Sequence, residues 1–305
     1  MSARPWLRWG TSLALLAALL IWLEPERIAA EVTRLEPAWL VLALIVATAQ
    51  TVLSAWRWRY TAGRLGLELE PRAALAEYYL AGFVNQVLPG GVLGDAWRAR
   101  RHARASGRGG PAWRAVILER ASGQVVVIAL AVLALVAYRP WREILLAAPH
   151  GAPPWPLGLG LIVIMALVVV LRPRWQPLLA ILRRDIRRAL LARDAWPRQL
   201  ASSLLIVLSY LLVFAACARG IGVELPIAGL MLLALPILLA MLVPLTVAGW
   251  GFREGAAAAV WLAAGLAPEQ GVAASLAYGV TVLLASLPGA AVLAFGRSAK
   301  AHVDE

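Results

Sequence analysis

Apolar runs long enough to cross a membrane recur along the whole chain, with only short polar segments between them. The hydrocarbon core of a bilayer is about 30 Å thick, and a helix of about 20 apolar residues crosses it. The runs predict transmembrane helices near residues 7–23, 38–56, 113–138, 155–171, 201–218 and 271–295. The longest polar stretch, 172–199, is too short for a separate folded domain. We therefore expect one all-α integral membrane domain over residues 1–305.

The positive charge of the chain is concentrated in short loops. The net charge of the chain is +12, and the basic residues cluster at 4–8, 57–72, 98–114, 172–198 and 297–300. Basic residues in short loops mark the cytoplasmic side of a membrane protein, so we expect no nucleic-acid partner and both termini in the cytoplasm. The first apolar run also resembles a signal peptide. A second span follows it at once, which favours a retained helix.

Two breaks rich in glycine and proline interrupt the apolar sequence. The first contains Asn85, Pro89, Gly90, Gly91, Gly94, Asp95 and Arg98, and the second contains Pro244, Gly249, Gly251, Arg253 and Glu254. Backbone that is not helical at membrane depth must be buried in protein or line a wet cavity. Two such breaks in corresponding halves are typical of a transporter's binding site. We therefore expect the two breaks to meet midway through the bilayer around a polar pocket.

The loop charges predict how the two halves are arranged. Segment 73–94 begins and ends at basic loops, so it enters and leaves the membrane on one side. The halves, about 7–138 and 155–295, then read as an inverted repeat of about six transmembrane helices with two re-entrant segments. Eight spans are the alternative, in which residues 227–266 cross twice. The dense charge after Gly94 leaves a second alternative, in which the first break surfaces near the cytoplasm.

The polar linker 172–199 has the pattern of an amphipathic helix. Leu178, Leu182 and Ile186 recur at helical spacing, opposite Arg183 and Arg187. Such a helix lies in the membrane interface with its arginines over anionic headgroups. It either anchors the connection between the halves or gathers anionic lipid.

The breaks carry groups suited to an anionic headgroup. Arg98, Arg120 and Arg253 offer planar donors for phosphate, and Asp95, Glu119 and Glu254 could balance that charge or carry protons. Asp95 has a second interpretation, in which it caps a helix and pairs with Arg98.

The polar residues near the first break are expected to interact with residues elsewhere in the chain. Glu119 and Arg120 are adjacent on a helix and do not face each other, so each needs a partner elsewhere, for which the first break is the nearest candidate. Alternatively, the pair lies at the level of the headgroups and needs no special partner. Asn85 is expected to bridge the helix ends around the break, and binding of freed carbonyls or headgroup oxygens is its alternative role.

Signatures of enzymes are missing from the sequence. Residues 89–94 lack the Gly-Lys-Ser/Thr of a phosphate loop, and the three histidines show no metal-binding spacing. No serine lies in a nucleophile elbow. We therefore predict no catalytic residue, no metal and no cofactor.

The order of these motifs resembles a known family. Asn85, Gly-Asp-x-x-Arg98, Glu119-Arg120 and Gly-x-Gly-x-Arg-Glu254 follow one another as in the flippase-like transmembrane domain of lysylphosphatidylglycerol synthases, and the resemblance covers residues 10–295. It implies a bacterial inner-membrane protein. In the bifunctional synthases this domain is implicated in moving aminoacylated phosphatidylglycerol between leaflets, while a soluble domain makes that lipid. Because this sequence stops at Glu305, the resemblance implies translocation and not synthesis.

The favoured function is therefore a lipid transporter or flippase that moves a phosphate-containing lipid, anionic or lipid-linked, through the pocket between the breaks. A membrane-embedded transferase acting on a polyprenyl-phosphate or phospholipid is one alternative. An accessory subunit of a lipid or glycan synthase is another, with a glycosyltransferase or lipid synthase as its partner. The sequence leaves the lipid and the oligomeric state open.

Overall fold

The chain folds into a bundle of helices of very unequal length. A computed structural model describes residues 25–33, 35–88, 91–137, 179–241 and 249–301, and these residues form helices and no strand. The helices are α1 (Pro25–Thr33), α2 (Pro37–Arg64), α3 (Pro71–Val87), α4 (Leu93–Ser106), α5 (Gly109–Ala137), α6 (179–189), α7 (Trp196–Gly220), α8 (Ile227–Ala240), α9 (Phe252–Ala263), α10 (Pro268–Ser286) and α11 (Pro288–Ala301). The helices expected at 7–23 and 155–171 lie outside the described residues, as do Pro89, Gly90 and Pro244.

Four of the described helices are long and apolar enough to cross a membrane. They are Pro37–Arg64, Gly109–Ala134, Trp196–Gly220 and the continuous stretch Pro268–Ala294. They confirm the spans predicted near 38–56, 113–138, 201–218 and 271–295. Large apolar side chains such as Ile45, Val125 and Leu205 are exposed on them, as expected of surfaces that face lipid. The all-α membrane fold is thus confirmed.

The antiparallel pair α2 and α7 defines the two ends of the bundle. At one end the backbone N–H of Glu36 donates to the carbonyl of Gly220 over 2.8 Å. At the other end Arg64 pairs with Asp194 at 2.5 Å. Arg114 and Asp185 also pair at this second end, again at 2.5 Å. The segments around Arg64, Arg114 and Asp194 thus gather at one end, which we call the basic end.

Helices α3 and α4 form a hairpin that enters from the basic end. They run antiparallel, because Gly94 lies against the backbone of Ala81 while Arg101 pairs with Glu77 at 2.7 Å. The helices contain 17 and 14 residues, fewer than the roughly 20 that a full crossing needs. This first hairpin therefore enters and leaves at the same end, as the loop charges predict.

Helices α8 and α9 form a second hairpin that enters from the opposite end. It follows the end of α7 at Gly220, and its return arm packs beside α1, where Ile28 contacts Ala258 and Val272. Met241 lies beside Gly249 at the hairpin tip. The described arms, of 14 and 12 residues, are short for two full crossings, which favours the predicted re-entrant segment over the alternative of eight spans.

The second hairpin packs against an apolar core to which the spans α2, α5, α7 and α10 also contribute. That core surrounds α7, where the ring of Phe214 packs on the rings of Trp261 and Tyr278 with centroids 5.9 and 5.7 Å apart. Because the hairpins enter from opposite ends, their tips approach each other inside the bundle.

Helix α6, in the polar linker, is amphipathic as predicted from the sequence. Its apolar residues Leu182 and Ile186 pack against a cluster from α2 and α5 that includes Ala62 and Leu118. The arginines at 183, 184, 187 and 188 are exposed on its other face. The apolar face is therefore covered by protein, while the arginines point away from it.

Candidate functional site

A buried network of charged side chains joins the first hairpin to three spans. Glu119 on α5 lies at its centre. Arg57 Nη2 on α2 donates to Glu119 Oε1 over 2.6 Å, and Arg98 Nη2 on α4 donates to Glu119 Oε2 over 2.7 Å. The other terminal nitrogen of Arg57, Nη1, donates to Ser203 Oγ on α7 over 2.9 Å. Arg98 and Glu119 are both 0% exposed.

Asp95 extends this network toward the hairpin tip. Its Oδ1 accepts from Arg98 Nε over 2.9 Å and from Arg120 Nη2 over 2.8 Å. Its Oδ2 accepts from Asn85 Nδ2 over 3.2 Å, and Asn85 Oδ1 accepts from the backbone N–H of Gly94 over 2.7 Å. Asn85 therefore bridges the end of α3 and the start of α4, which confirms its expected role.

Three guanidinium groups meet two carboxylates in this first charge cluster, which comprises Arg57, Asp95, Arg98, Glu119 and Arg120. One positive charge is therefore not balanced within it. Burying charge is costly unless the charges are paired and hydrogen-bonded, and the interactions around Glu119 and Asp95 supply that pairing. The side chain of Arg120 is 34% exposed, whereas that of Arg98 is fully enclosed.

A second charge cluster lies at the start of α9. Arg253 Nη2 donates to Glu254 Oε1 over 2.6 Å, and Ser275 Oγ on α10 donates to the same oxygen over 3.0 Å. The backbone N–H of Gly251, whose φ is 86°, donates to Glu254 Oε2 over 2.6 Å. That left-handed conformation favours glycine, so Gly251 lets the chain turn into α9. Arg253 and Glu254 are 1% and 0% exposed.

Aromatic rings hold the buried arginine of each cluster in the same way. The guanidinium of Arg98 lies over the rings of Trp58 and Tyr78, 4.6 Å from each centroid. The guanidinium of Arg253 lies 4.9 Å from the ring of Trp250 and 5.3 Å from that of Tyr278. Each half thus encloses one arginine between a tryptophan, a tyrosine and a glutamate.

A cavity of about 200 Å³ lies where the two hairpin tips approach each other. Gly91 and Asn85 line it from the first tip, and Met241 lines it from the second. Its remaining walls come from the middle of three spans: residues 47–51 of α2, 210–213 of α7 and 278–286 of α10. The cavity is therefore at mid-depth in the bundle. Because Gly91 lines the cavity, this position favours a first break at depth over the alternative in which the break surfaces near the cytoplasm.

The predicted site residues fall into two groups around this cavity. Asn85, Gly91 and Arg120 line it directly. Asp95, Arg98, Glu119, Arg253 and Glu254 are buried behind its walls in the charge clusters, and Gly94 packs inside the first hairpin. Gly249 and Gly251 form the turn of the second tip. Of the three arginines predicted to contact phosphate, Arg120 is the one at the cavity surface.

The structure tests two predictions about the charged residues of the first cluster. Glu119 and Arg120 do find separate partners, as their adjacency on one helix predicts. Asp95 pairs with Arg98 as expected, but it does not cap α4, because Val92 occupies the cap position and makes no side-chain capping bond.

Several residues of the site escape the sequence reasoning. Arg57 belongs by position to the basic segment 57–72, yet it is buried against Glu119. The sequence does contain a signal that Arg57 is buried, because Ser54, Arg57 and Thr61 have the spacing of one helix face. All three are buried in the structure. Tyr78, Tyr210 and Tyr278 line the cavity from three different helices without a motif that marks them.

Among the residues that the structure describes, no group of three or more His, Cys, Asp or Glu side chains is placed to hold a metal ion. The one cysteine, Cys217, is buried in α7 beside Thr281 Oγ1 at 3.6 Å.

A comparison with protein families finds one match over most of the chain. The model of the family described as "Lysylphosphatidylglycerol synthase TM region" matches residues 9–289. Neither the curated proteins nor the solved structures give a significant match.

Proposed function

The chain belongs to the lysylphosphatidylglycerol synthase transmembrane-region family, and we propose that it moves a phosphate-bearing lipid between the leaflets of the bacterial inner membrane. In this proposal the headgroup passes through the cavity between the hairpin tips, and the acyl chains stay in the surrounding lipid. The basic end faces the cytoplasm, since basic residues in short loops mark that side.

The observation that carries the proposal is the cavity with Arg120 at its wall. A broken helix at membrane depth is tolerated where it lines a polar cavity, and both hairpins end at this one. The unbalanced positive charge of the first cluster favours an anion at the partly exposed guanidinium.

The buried arginines have a different role in this proposal. Arg98 and Arg253 are enclosed by rings and carboxylates, so they hold the hairpin tips in place. Arg120 is left as the direct contact to phosphate, because its guanidinium is shared between Asp95 and the cavity.

The test is lipid movement in reconstituted liposomes. Vesicles containing phosphatidylglycerol with a fluorescent acyl chain would be treated with a membrane-impermeant quencher, which reports how fast inner-leaflet lipid appears outside. We expect the protein to accelerate this movement and Arg120→Gln to slow it at least tenfold. Arg101→Gln is the matched control, because Arg101 lies on the same hairpin but its salt bridge is half-exposed and away from the cavity.

Other outcomes identify the alternatives. A folded protein that moves no phospholipid contradicts the proposal and favours an accessory subunit. A lipid product of altered mass, formed only in the presence of the protein, favours a transferase.

A further inference from the structure

The charge lining the cavity is of one sign. Among the described residues that line it, Arg120 alone is charged. The polar remainder consists of neutral amides, hydroxyls and phenols, including Gln50, Thr51, Tyr79, Gln86 and Tyr210. No carboxylate of the described chain faces the cavity directly.

The nearest carboxylates are already engaged by protein donors. Both oxygens of Asp95 accept hydrogen bonds, from Arg98, Arg120 and Asn85. Both oxygens of Glu119 are likewise engaged by protein donors. Those of Glu254 accept from Arg253, Ser275 and the backbone of Gly251. An ammonium group in the cavity would therefore meet a net positive surrounding without a counter-ion.

The apolar segments of sequence outside the described residues contain no acidic residue. Residues 9–23, 89–90, 144–171 and 242–248 contain neither Asp nor Glu. The cavity therefore cannot gain a carboxylate from these apolar segments of the sequence.

One buried acceptor at the cavity lacks a donor. Gln86 Oε1 is enclosed and has no hydrogen-bond partner among the described residues. A buried polar atom without a partner costs about 1 to 3 kcal/mol, so a donor there would be stabilising. A hydroxyl supplies that donor without bringing a positive charge beside Arg120.

From these observations we infer that the lipid headgroup is a phosphate ester of a small, uncharged polyol and not a cationic aminoacyl group. The inference rests on the proposed function and narrows its substrate. Phosphate binds at Arg120, and the hydroxyls meet the amides and phenols of the opposite wall. A volume of about 200 Å³ has room for several water molecules, which suits a group of the size of glycerol and excludes a long oligosaccharide.

The experiment compares phosphatidylglycerol with the same lipid carrying a lysyl ester, the group that bears the disputed positive charge. Phosphatidylglycerol and lysyl-phosphatidylglycerol, with the same fluorescent acyl chain, would be placed in separate liposomes with the same amount of protein. We expect phosphatidylglycerol to move at least tenfold faster. Equal rates, or faster movement of the lysyl lipid, overturn the inference while leaving the proposed function standing. Movement of neither lipid by folded protein contradicts both.

A charge placed in the cavity provides a second measurement. Gln50→Glu introduces a carboxylate at the cavity wall, and it should raise the rate of the lysyl lipid relative to phosphatidylglycerol at least tenfold over wild type. Gln270→Glu makes the same chemical change at the start of α10, away from the cavity, and should leave the ratio as in wild type. An unchanged ratio in Gln50→Glu, with the protein folded, counts against the inference.

Discussion

Arg98 and Glu119 form an ion pair, 2.7 Å between Nη2 and Oε2, in which neither side chain is exposed. The pair joins the return arm of the first hairpin to a transmembrane span. Arg57 holds the other oxygen of the same carboxylate, so a single glutamate fixes the position of two arginines from different helices. The hairpin tip is therefore placed by charge as well as by apolar packing.

Replacing Glu119 should destabilise the protein severely. Removing one partner of a buried ion pair typically costs about 3 to 5 kcal/mol, because the remaining charge stays buried without compensation. We expect Glu119→Gln to lose stability of that order, seen as a lower melting temperature in detergent. Asp194→Asn is the control, since it breaks an exposed pair with Arg64 and should change the melting temperature little. Equal melting temperatures for both variants would contradict the structural role of Glu119.

Adding one methyl group at Gly94 should separate the arms of the first hairpin. A Cβ at this position would lie 2.7 Å from the carbonyl carbon of Ala81, which is backbone and cannot rotate away. We expect Gly94→Ala to cost about 1 to 3 kcal/mol and to slow lipid movement. Gly63→Ala on α2 meets no atom within 4 Å and should be neutral or slightly stabilising. Thermal unfolding and the liposome assay of both variants test this contrast.

The cavity should be reached by water. In a Cys217→Ala background, a cysteine at Gln50 would face the cavity, whereas one at Ile45 would lie on the exposed apolar surface of the same helix. Hydrophilic thiol reagents react with thiolates in water and poorly with thiols in lipid. We expect Gln50→Cys to be labelled at least tenfold faster than Ile45→Cys in membranes. Labelling of Ile45→Cys at the same rate would show that the two positions do not differ as described.

The exposed arginines of α6 should bind anionic lipid. Each basic residue near an anionic surface contributes about 1 kcal/mol of attraction. Replacing arginines 183, 184, 187 and 188 together by Gln should reduce the rise in melting temperature that phosphatidylglycerol produces over phosphatidylcholine. Replacement by Lys retains the charge and should retain most of the rise. If the Gln and Lys variants respond alike, charge on this face does not govern the lipid response.

Much of the fold follows from the sequence, because spans and breaks leave local signals. Apolar length predicts the four described spans, and glycines with loop charge predict that the first break turns back at the basic end. The approach of both tips to one cavity is also expected from an inverted repeat, although the charge after Gly94 argued for a shallower first break. Of those charges, Asp95 and Arg98 are buried in the first charge cluster, with partners such as Glu119 that are distant in sequence, whereas Arg100, Arg101 and Arg104 are exposed.

The partners within the site are harder to predict. Arg98 and Arg253 look like ligands for phosphate when only their neighbours in sequence are known. Their enclosure depends on Trp58, Tyr78 and Tyr278, which ordinary apolar helices bring to them. Side chains that pair across helices carry no local signature in the sequence. The structure is therefore needed to distinguish the buried arginines, Arg98 and Arg253, from Arg120, which is accessible from the cavity.

Arg57 has a consequence for how such a molecule could alternate between leaflets. Its two terminal nitrogens bind Glu119 on α5 and Ser203 on α7, so one guanidinium ties three membrane spans together in the buried interior. Sliding any of these spans past another would strip this buried cation of at least one acceptor. The first hairpin is held by the same Glu119 through Arg98, so we expect these three spans and that hairpin to move as one unit in any change of shape that accompanies the proposed lipid movement.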